Sequence, residues 1–315
     1  MTRLQHDDRD RLTRRDFLGR TAAAAAGGWF VGRQSVLGAP VPPGAPPAMG
    51  WQIGCYTRPW AACEYGEAFD VIAEAGFKYI GFSGIKSATK RVIAPATPLE
   101  EAAKMGEEAR RRGLQIPNAY GGAFASDRSV KDGVESLRRM IDNCAAAGVW
   151  SLMVGSLGTE KTYENHCKAI AEVCDYAAEK RVGIVLKPHG GLTSPGPLLR
   201  KACDAVRHKN FSVMYDPGNI YYYSDGKVDP VEDAAVLDGI VSGMCVKDYQ
   251  HPKNVAVTPG TGQVKFPNLM ARLAKGGFTH GPLIIETLAP GDPAQLIHEA
   301  RKGRLFVEQL VAGTR

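Results

Sequence analysis

Four short apolar runs in the second half of the chain end, one after another, in groups that can move protons or hold charge. GIVLK (183–187) ends at Lys187, with His189 two residues on. SVMYD (212–216) ends at Asp216, followed by Asn219. MCVKD (244–248) ends in Lys247 and Asp248, and LIIET (283–287) carries Glu286. Carboxylates, an imidazole and ammonium groups suit general acid–base chemistry: a carboxylate takes a proton from carbon while a nearby cation stabilises the charge that develops. A single one of these ends would read as a rim salt bridge. Four in succession point to a site, because unpaired charge in a core is very costly.

Aromatic residues crowd the same ends: Tyr56, Trp60, Phe82, Tyr120 and the run Tyr221-Tyr222-Tyr223. Flat rings with polar edges suit the C–H faces of sugars, although some of them must simply pack the mouth of the fold. The residues therefore divide into a catalytic set, Lys187, His189, Asp216 and Glu286, and a substrate-binding set, Tyr56, Trp60, Tyr120, Asn219, Lys247 and Asp248. Gly260-Thr261-Gly262 lacks the spacing of a phosphate-binding loop and reads as a turn.

Groups at run ends need a scaffold that brings those ends together. Eight apolar runs are present: QIGCYT (52–57), YIGFS (79–83), QIPNAY (115–120), SLMVGS (151–156) and the four above, extended to 183–187, 212–216, 244–248 and 283–287. Several are apolar at successive positions, as buried parallel strands are. Amphipathic stretches separate them at 64–76, 98–113, 130–148, 162–181, 197–208, 267–276 and 293–310, with a shorter one at 230–237. Thr97 and Pro98 give the second helix an N-cap and a first-turn proline. Eight strands alternating with helices predict an α/β fold, a single (β/α)₈ TIM barrel over 51–315, whose working residues lie at the strand C-termini. An open doubly wound sheet would want a glycine fingerprint after the first strand, and Tyr56-Thr57-Arg58-Pro59-Trp60 offers none.

The segment before the barrel reads differently. Thr13-Arg14-Arg15-Asp16-Phe17-Leu18 followed by an Ala/Gly stretch resembles a twin-arginine export signal, so residues 1–39 are expected to be a removable signal peptide and 40–50 a Pro-rich linker. The expected partner there is the twin-arginine export machinery, and the destination is periplasmic or extracellular. No apolar run reaches the ~20 residues of a spanning helix, so no stable membrane anchor is expected. The chain carries 39 Lys+Arg and 33 Asp+Glu; seven Arg and four Asp fall in the first 39 residues, leaving a mature charge near +3. No basic stripe suits a phosphate backbone, so nucleic acid is not an expected partner. Seven cysteines without a CxxC pair cannot all pair internally and are expected to be small buried hydrophobes.

The run ends, taken in order, resemble the sugar phosphate isomerase/epimerase superfamily, the xylose isomerase-like barrels that include the endonuclease IV type. IGCYTRPW (53–60), GIVLKPHGG (183–191), YDPGN (215–219), CVKDYQ (245–250), PGTGQVKF (259–266) and LIIET (283–287) carry the resemblance, which covers nearly all of 51–310. It implies a barrel acting on a sugar, in many members through one divalent metal held by Glu, Asp, His and Glu. Asp216 and Glu286 match two of those positions. Lys187 stands where the first Glu is implied, and Cys245 where the His is. No cofactor is therefore favoured. If a metal (Mn, Mg, Zn or Co) is retained, Asp216, Glu286 and His189 are its candidate ligands.

The first reading is an exported sugar isomerase or epimerase that removes a proton next to a carbonyl, with the Lys187 ammonium in place of the metal's charge or as a Schiff-base amine. Alternatives are a lyase that splits keto-glycosides by elimination and a sugar-binding barrel without activity. The expected partner is a small sugar or glycoside.

Overall fold

The computed structural model describes residues 50–313. Eight parallel strands close on themselves: β1 (Trp51–Tyr56), β2 (Tyr79–Phe82), β3 (Gln115–Gly122), β4 (Ser151–Val154), β5 (Gly183–Leu186), β6 (Phe211–Tyr215), β7 (Val241–Val246) and β8 (Gly281–Ile285). Each pairs with its sequence neighbour, and β1 closes the ring against β8 through Trp51 to Cys55 and Gly281 to Ile285. The single (β/α)₈ barrel expected from the alternation is the observed architecture. The reading of 1–39 as a signal and most of the 40–50 linker lie outside the described residues.

Helices cover the outside: α1 (Tyr65–Glu74), α2 (Leu99–Arg111), α3 (Val130–Ala147), α4 (Tyr163–Glu179), α5 (Gly196–Val206), α6 (Pro217–Tyr223), α7 (Pro230–Asp233), α8 (Phe266–Lys275) and α9 (Pro293–Ala312). Their ends follow local chemistry. Ser129 accepts the Asp132 N–H at the start of α3, and Gly148 ends it with a left-handed φ of 75°. Asp292 and Gln295 form a reciprocal capping box on α9. Among the described residues no helix is long and apolar enough to cross a membrane. All seven cysteines are free, and six are buried.

Two local expectations change, and one helix is added. Thr97 does not cap α2; Pro98 holds that position, and the Thr97 hydroxyl instead accepts the Ala94 N–H at 3.0 Å and donates to the Val92 carbonyl at 3.3 Å. The preceding loop competes successfully for the hydroxyl. β3 runs two residues past Tyr120, to Gly122. The tyrosines after β6 are helical: they form α6, capped by Asp216, whose carboxylate accepts the Asn219 N–H.

The barrel interior below the mouth is filled by Tyr56, Met153, Val185, Met214, Cys245 and Ile284. Such a layer makes the lumen a core rather than a channel, so any chemistry is confined to the layer above it, at the strand C-termini.

Candidate active site

Lys187, Asp216, Lys247 and Glu286 come from β5, β6, β7 and β8 and meet in one layer directly above the interior plug. Their residue exposures are 2%, 0%, 2% and 6%. The Lys187 Nζ pairs with Glu286 Oε2 and lies 3.1 Å from Asp216 Oδ2. The Lys247 Nζ lies 3.1 Å from the same Asp216 oxygen and 3.0 Å from Glu286 Oε1. Each ammonium thus touches both carboxylates, and each carboxylate touches both ammoniums. Such a ring suits burial, because neither sign is left uncompensated. Arg58, just past β1, adds a third cation: its guanidinium is 2.5 Å from Glu286 Oε1, and its side chain is 45% exposed. It is the member of the network that reaches solvent.

Neighbouring backbone fixes these groups. Asp216 Oδ1 accepts the Asn219 N–H at 2.9 Å, which leaves Oδ2, buried and without an aligned hydrogen bond, facing the ammoniums. The Asn219 amide donates to the Pro188 carbonyl at 2.7 Å and accepts from Lys247 at 3.0 Å. It ties the loop after β5 to the lysine of β7. Below, the Tyr56 hydroxyl donates to Asn118 Oδ1 at 2.6 Å.

The two lysines differ electrostatically. Burial opposes the Lys187 charge, but Glu286 and Asp216 outweigh it and hold its pKa well above the ordinary lysine value. Lys247 goes the other way: burial lowers its pKa, Lys187 and Arg58 add to that, and the two acids offset it only in part. Burial would raise Glu286, yet Lys187, Lys247 and Arg58 hold it well below the usual carboxylate range. Reduced hydration at the mouth, then Lys187 and Lys247, push His189 below its ordinary value.

Not every residue proposed from sequence joins this layer. Tyr56 is fully buried in the plug. Trp60 is buried in the hydrophobic core. Phe82 is likewise internal, stacked on Phe69 at 5.3 Å. Asp248 points away from the site: its two oxygens accept the N–H groups of Tyr249, Gly260, Gly262 and Val264 at 2.8–3.0 Å. A carboxylate so fully occupied folds the loop 258–264 and has no lone pair to offer a sugar or a metal. Asn219 is spent on positioning. Tyr120 and His189 do stand at the mouth, their rings 6.3 Å apart, with the Lys187 Nζ 5.8 Å from the Tyr120 ring centre. Tyr223, 40% exposed, lies 5.5 Å from His189.

A metal requires ligand-capable atoms without competing cations. Among the described residues, Asp216, Cys245 and Glu286 bring such atoms within 4.8 Å of one another, and His189 stands outside that group. The set named from sequence, Asp216, Glu286 and His189, is therefore not assembled. The assembled set does not fit a divalent ion either. Both acids are already paired with ammoniums, and burial raises the Cys245 thiol pKa, so it stays protonated where a metal wants thiolate.

A separate cavity of about 510 Å³, lined by Phe124, Arg128, Asp132 and Arg139, includes none of the strand-end charges.

Residues 69–308 match the family of xylose isomerase-like TIM barrels. The chain belongs to this family. Similar solved structures include a xylose isomerase domain protein from Planctomyces limnophilus (18% identity, 83% of this chain and 97% of that one, TM-score 0.65). Another is D-allulose 3-epimerase from Methylomonas sp. (19%, 84% and 99%, 0.64). A third is 3-keto-D-glucoside 4-epimerase from E. coli (15%, 82% and 99%, 0.60). At these identities the likeness is one of fold. No curated protein sequence matches the chain. Arg58, two residues beyond β1, stood among the strand-end residues in the sequence but was given no catalytic or binding role there. Sequence reasoning passed over Arg91, which lies in the long loop between β2 and α2, where no strand-end signal marks it.

Proposed function

We propose that this barrel is a sugar isomerase or epimerase that shifts a proton next to a carbonyl without a metal. The observation that carries the reading is the buried ring of two ammoniums and two carboxylates at the strand C-termini. Asp216 Oδ2, the carboxylate oxygen without an aligned hydrogen bond, accepts the proton from the carbon beside the carbonyl. The C–H electron pair forms the enolate, and the carbonyl oxygen takes up negative charge. Lys187, held charged, donates a hydrogen bond to that oxygen. Its held charge suits this role better than imine formation, which needs a free amine. Glu286 keeps both lysines in place. Protonation of the neighbouring carbon, or of the same carbon from its other face, completes isomerisation or epimerisation. His189, at the rim beside Tyr120 and Tyr223, serves as the second proton-transfer group. Arg58 covers Glu286 from the solvent side, so its guanidinium must swing aside as the sugar enters. Sugar epimerases and isomerases among proteins of the same fold support this class. The twin-arginine pattern adds the proposal that the enzyme works outside the cytoplasm.

The test is exchange of solvent deuterium into keto-sugars and aldoses, followed by NMR. Exchange should survive EDTA and fall about 10²–10³-fold or more in Lys187→Met, the scale of losing one oxyanion donor. Loss of exchange in EDTA with recovery in Mn would reject the lysine-for-metal mechanism. No exchange with any sugar that binds would leave a binding barrel.

A further inference from the structure

The charges at the barrel mouth do not cancel. Four cationic side chains, Arg58, Arg91, Lys187 and Lys247, stand against two carboxylates, Asp216 and Glu286. Arg58 and the two lysines are paired with those acids. Arg91 is not, and among the described residues no carboxylate pairs with it.

Its position is nonetheless well defined. Arg91 closes a short antiparallel bridge with Gly84 in the loop after β2, and the next residue, Val92, donates its N–H to the Ser83 carbonyl at 3.1 Å. The Thr89 hydroxyl donates to the Arg91 carbonyl at 2.7 Å. Its guanidinium carbon lies 4.6 Å above the Tyr120 ring centre. The same group rests against Gly122, where a Cβ would come within 2.9 Å of that carbon and where φ is +80°. Space at Gly122, a flat platform at Tyr120 and an anchored loop together hold a half-buried guanidinium at the mouth. The Lys187 Nζ approaches the same ring.

A held guanidinium without a counter-ion offers paired, coplanar donors that match a carboxylate. The charges of the lysines deeper in the site are balanced by Asp216 and Glu286, so Arg91 is the cation left to balance a charge on the substrate. We propose that the substrate is a sugar acid: its carboxylate pairs with Arg91 over Tyr120, and its carbonyl end reaches Lys187 and Asp216. The carbonyl end rests on the function proposed above; the carboxylate end stands by itself. One guanidinium balances one carboxylate charge, whereas a phosphate ester, with close to two charges, would remain half-compensated.

Calorimetric titration of the full chain with D-glucuronate, D-glucose and D-glucose 6-phosphate tests this, in wild type, Arg91→Met and Arg91→Lys, with thermal melts confirming that each variant is folded. The uronate should bind about tenfold or more tightly than glucose, as expected of one charge-assisted bidentate pair. That preference should disappear in Arg91→Met and survive in part in Arg91→Lys. Equal binding of glucose and glucuronate, a preference for the phosphate ester, or a preference that persists in Arg91→Met would each overturn the proposal. So would failure of a wider panel of uronates and keto-aldonates to bind. Deuterium exchange on the same samples separates the two claims. An Arg91-dependent acid preference without exchange removes the isomerase reading alone. Exchange on neutral sugars without an acid preference removes the sugar-acid reading alone.

Discussion

Lys187 and Lys247 share the same two carboxylates but not the same surroundings. Lys187 spends its contacts on Glu286 and Asp216, whereas Lys247 gives one to the neutral Asn219 oxygen and lies under the influence of Arg58. The first is held charged, and the second can part with its proton more readily than an ordinary lysine. Glu286 binds the ring together, and this has a pH signature. Its carboxyl is held below the unfolded value of about 4.3, so it contributes stability that is complete above that pH and lost as pH falls through the native value. Urea unfolding between about pH 2 and 6 should show stability rising with pH, and Glu286→Gln should flatten that limb. An unchanged acid limb in the variant would mean that the ion ring adds nothing to stability. Lys187→Met should also cost about 3–5 kcal/mol at neutral pH, because it strips a buried carboxylate of a partner. Activity must therefore be read against a melt of the same variant.

At the scale of elements, loops after the strands carry the site, and two carboxylates act as their clasps. Asp216 ends β6, caps α6 with one oxygen and faces the lysines with the other. Asp248, just past β7, gathers four backbone N–H groups of its own loop. Removing Asp248 leaves several of those donors unsatisfied, at about 1–3 kcal/mol for each that stays buried. Asp248→Ala should therefore lower stability and speed amide exchange at Gly260, Gly262 and Val264 while leaving helices on the far side protected. If those amides kept their protection, the clasp would not be what orders the loop. A substrate-binding Asp248 would show the opposite pattern: weaker binding with an unchanged loop.

For the whole molecule, the barrel closes through β1 and β8, and its first strand begins at Trp51. A chain starting at Met49 should melt at the temperature of the full chain, with the same cooperativity. A lower melting temperature would show that the first 48 residues pack on the barrel. N-terminal sequencing of protein recovered from the periplasm of a bacterial host tests the export reading: a start near 40 supports it, and an intact Met1 opposes it.

Local rules carried far in this chain. Eight apolar runs with helical stretches between them are a barrel written in one dimension, because buried parallel strands need apolar residues throughout and helices need one apolar stripe. Since strand ends in a barrel converge, Lys187, Asp216, Lys247 and Glu286 were legible as neighbours from their places in the runs. What was not legible depends on direction and on competition for hydrogen bonds. Asp248 follows Lys247 by one residue, yet successive side chains at a strand end point opposite ways, and Asp248 meets amides of a loop ten or more residues later. Trp60 and Tyr56 read as rim aromatics, but the chain folds one into the core and the other into the lumen. Arg91 has no pattern at all in sequence; its place is set by a bridge in the loop after β2 and by a ring and a glycine that β3 supplies. The sequence by itself determined the scaffold and which strands carry charge. Only the tertiary structure decided which charges face one another, because that is settled by pairing across the barrel rather than by neighbours along the chain.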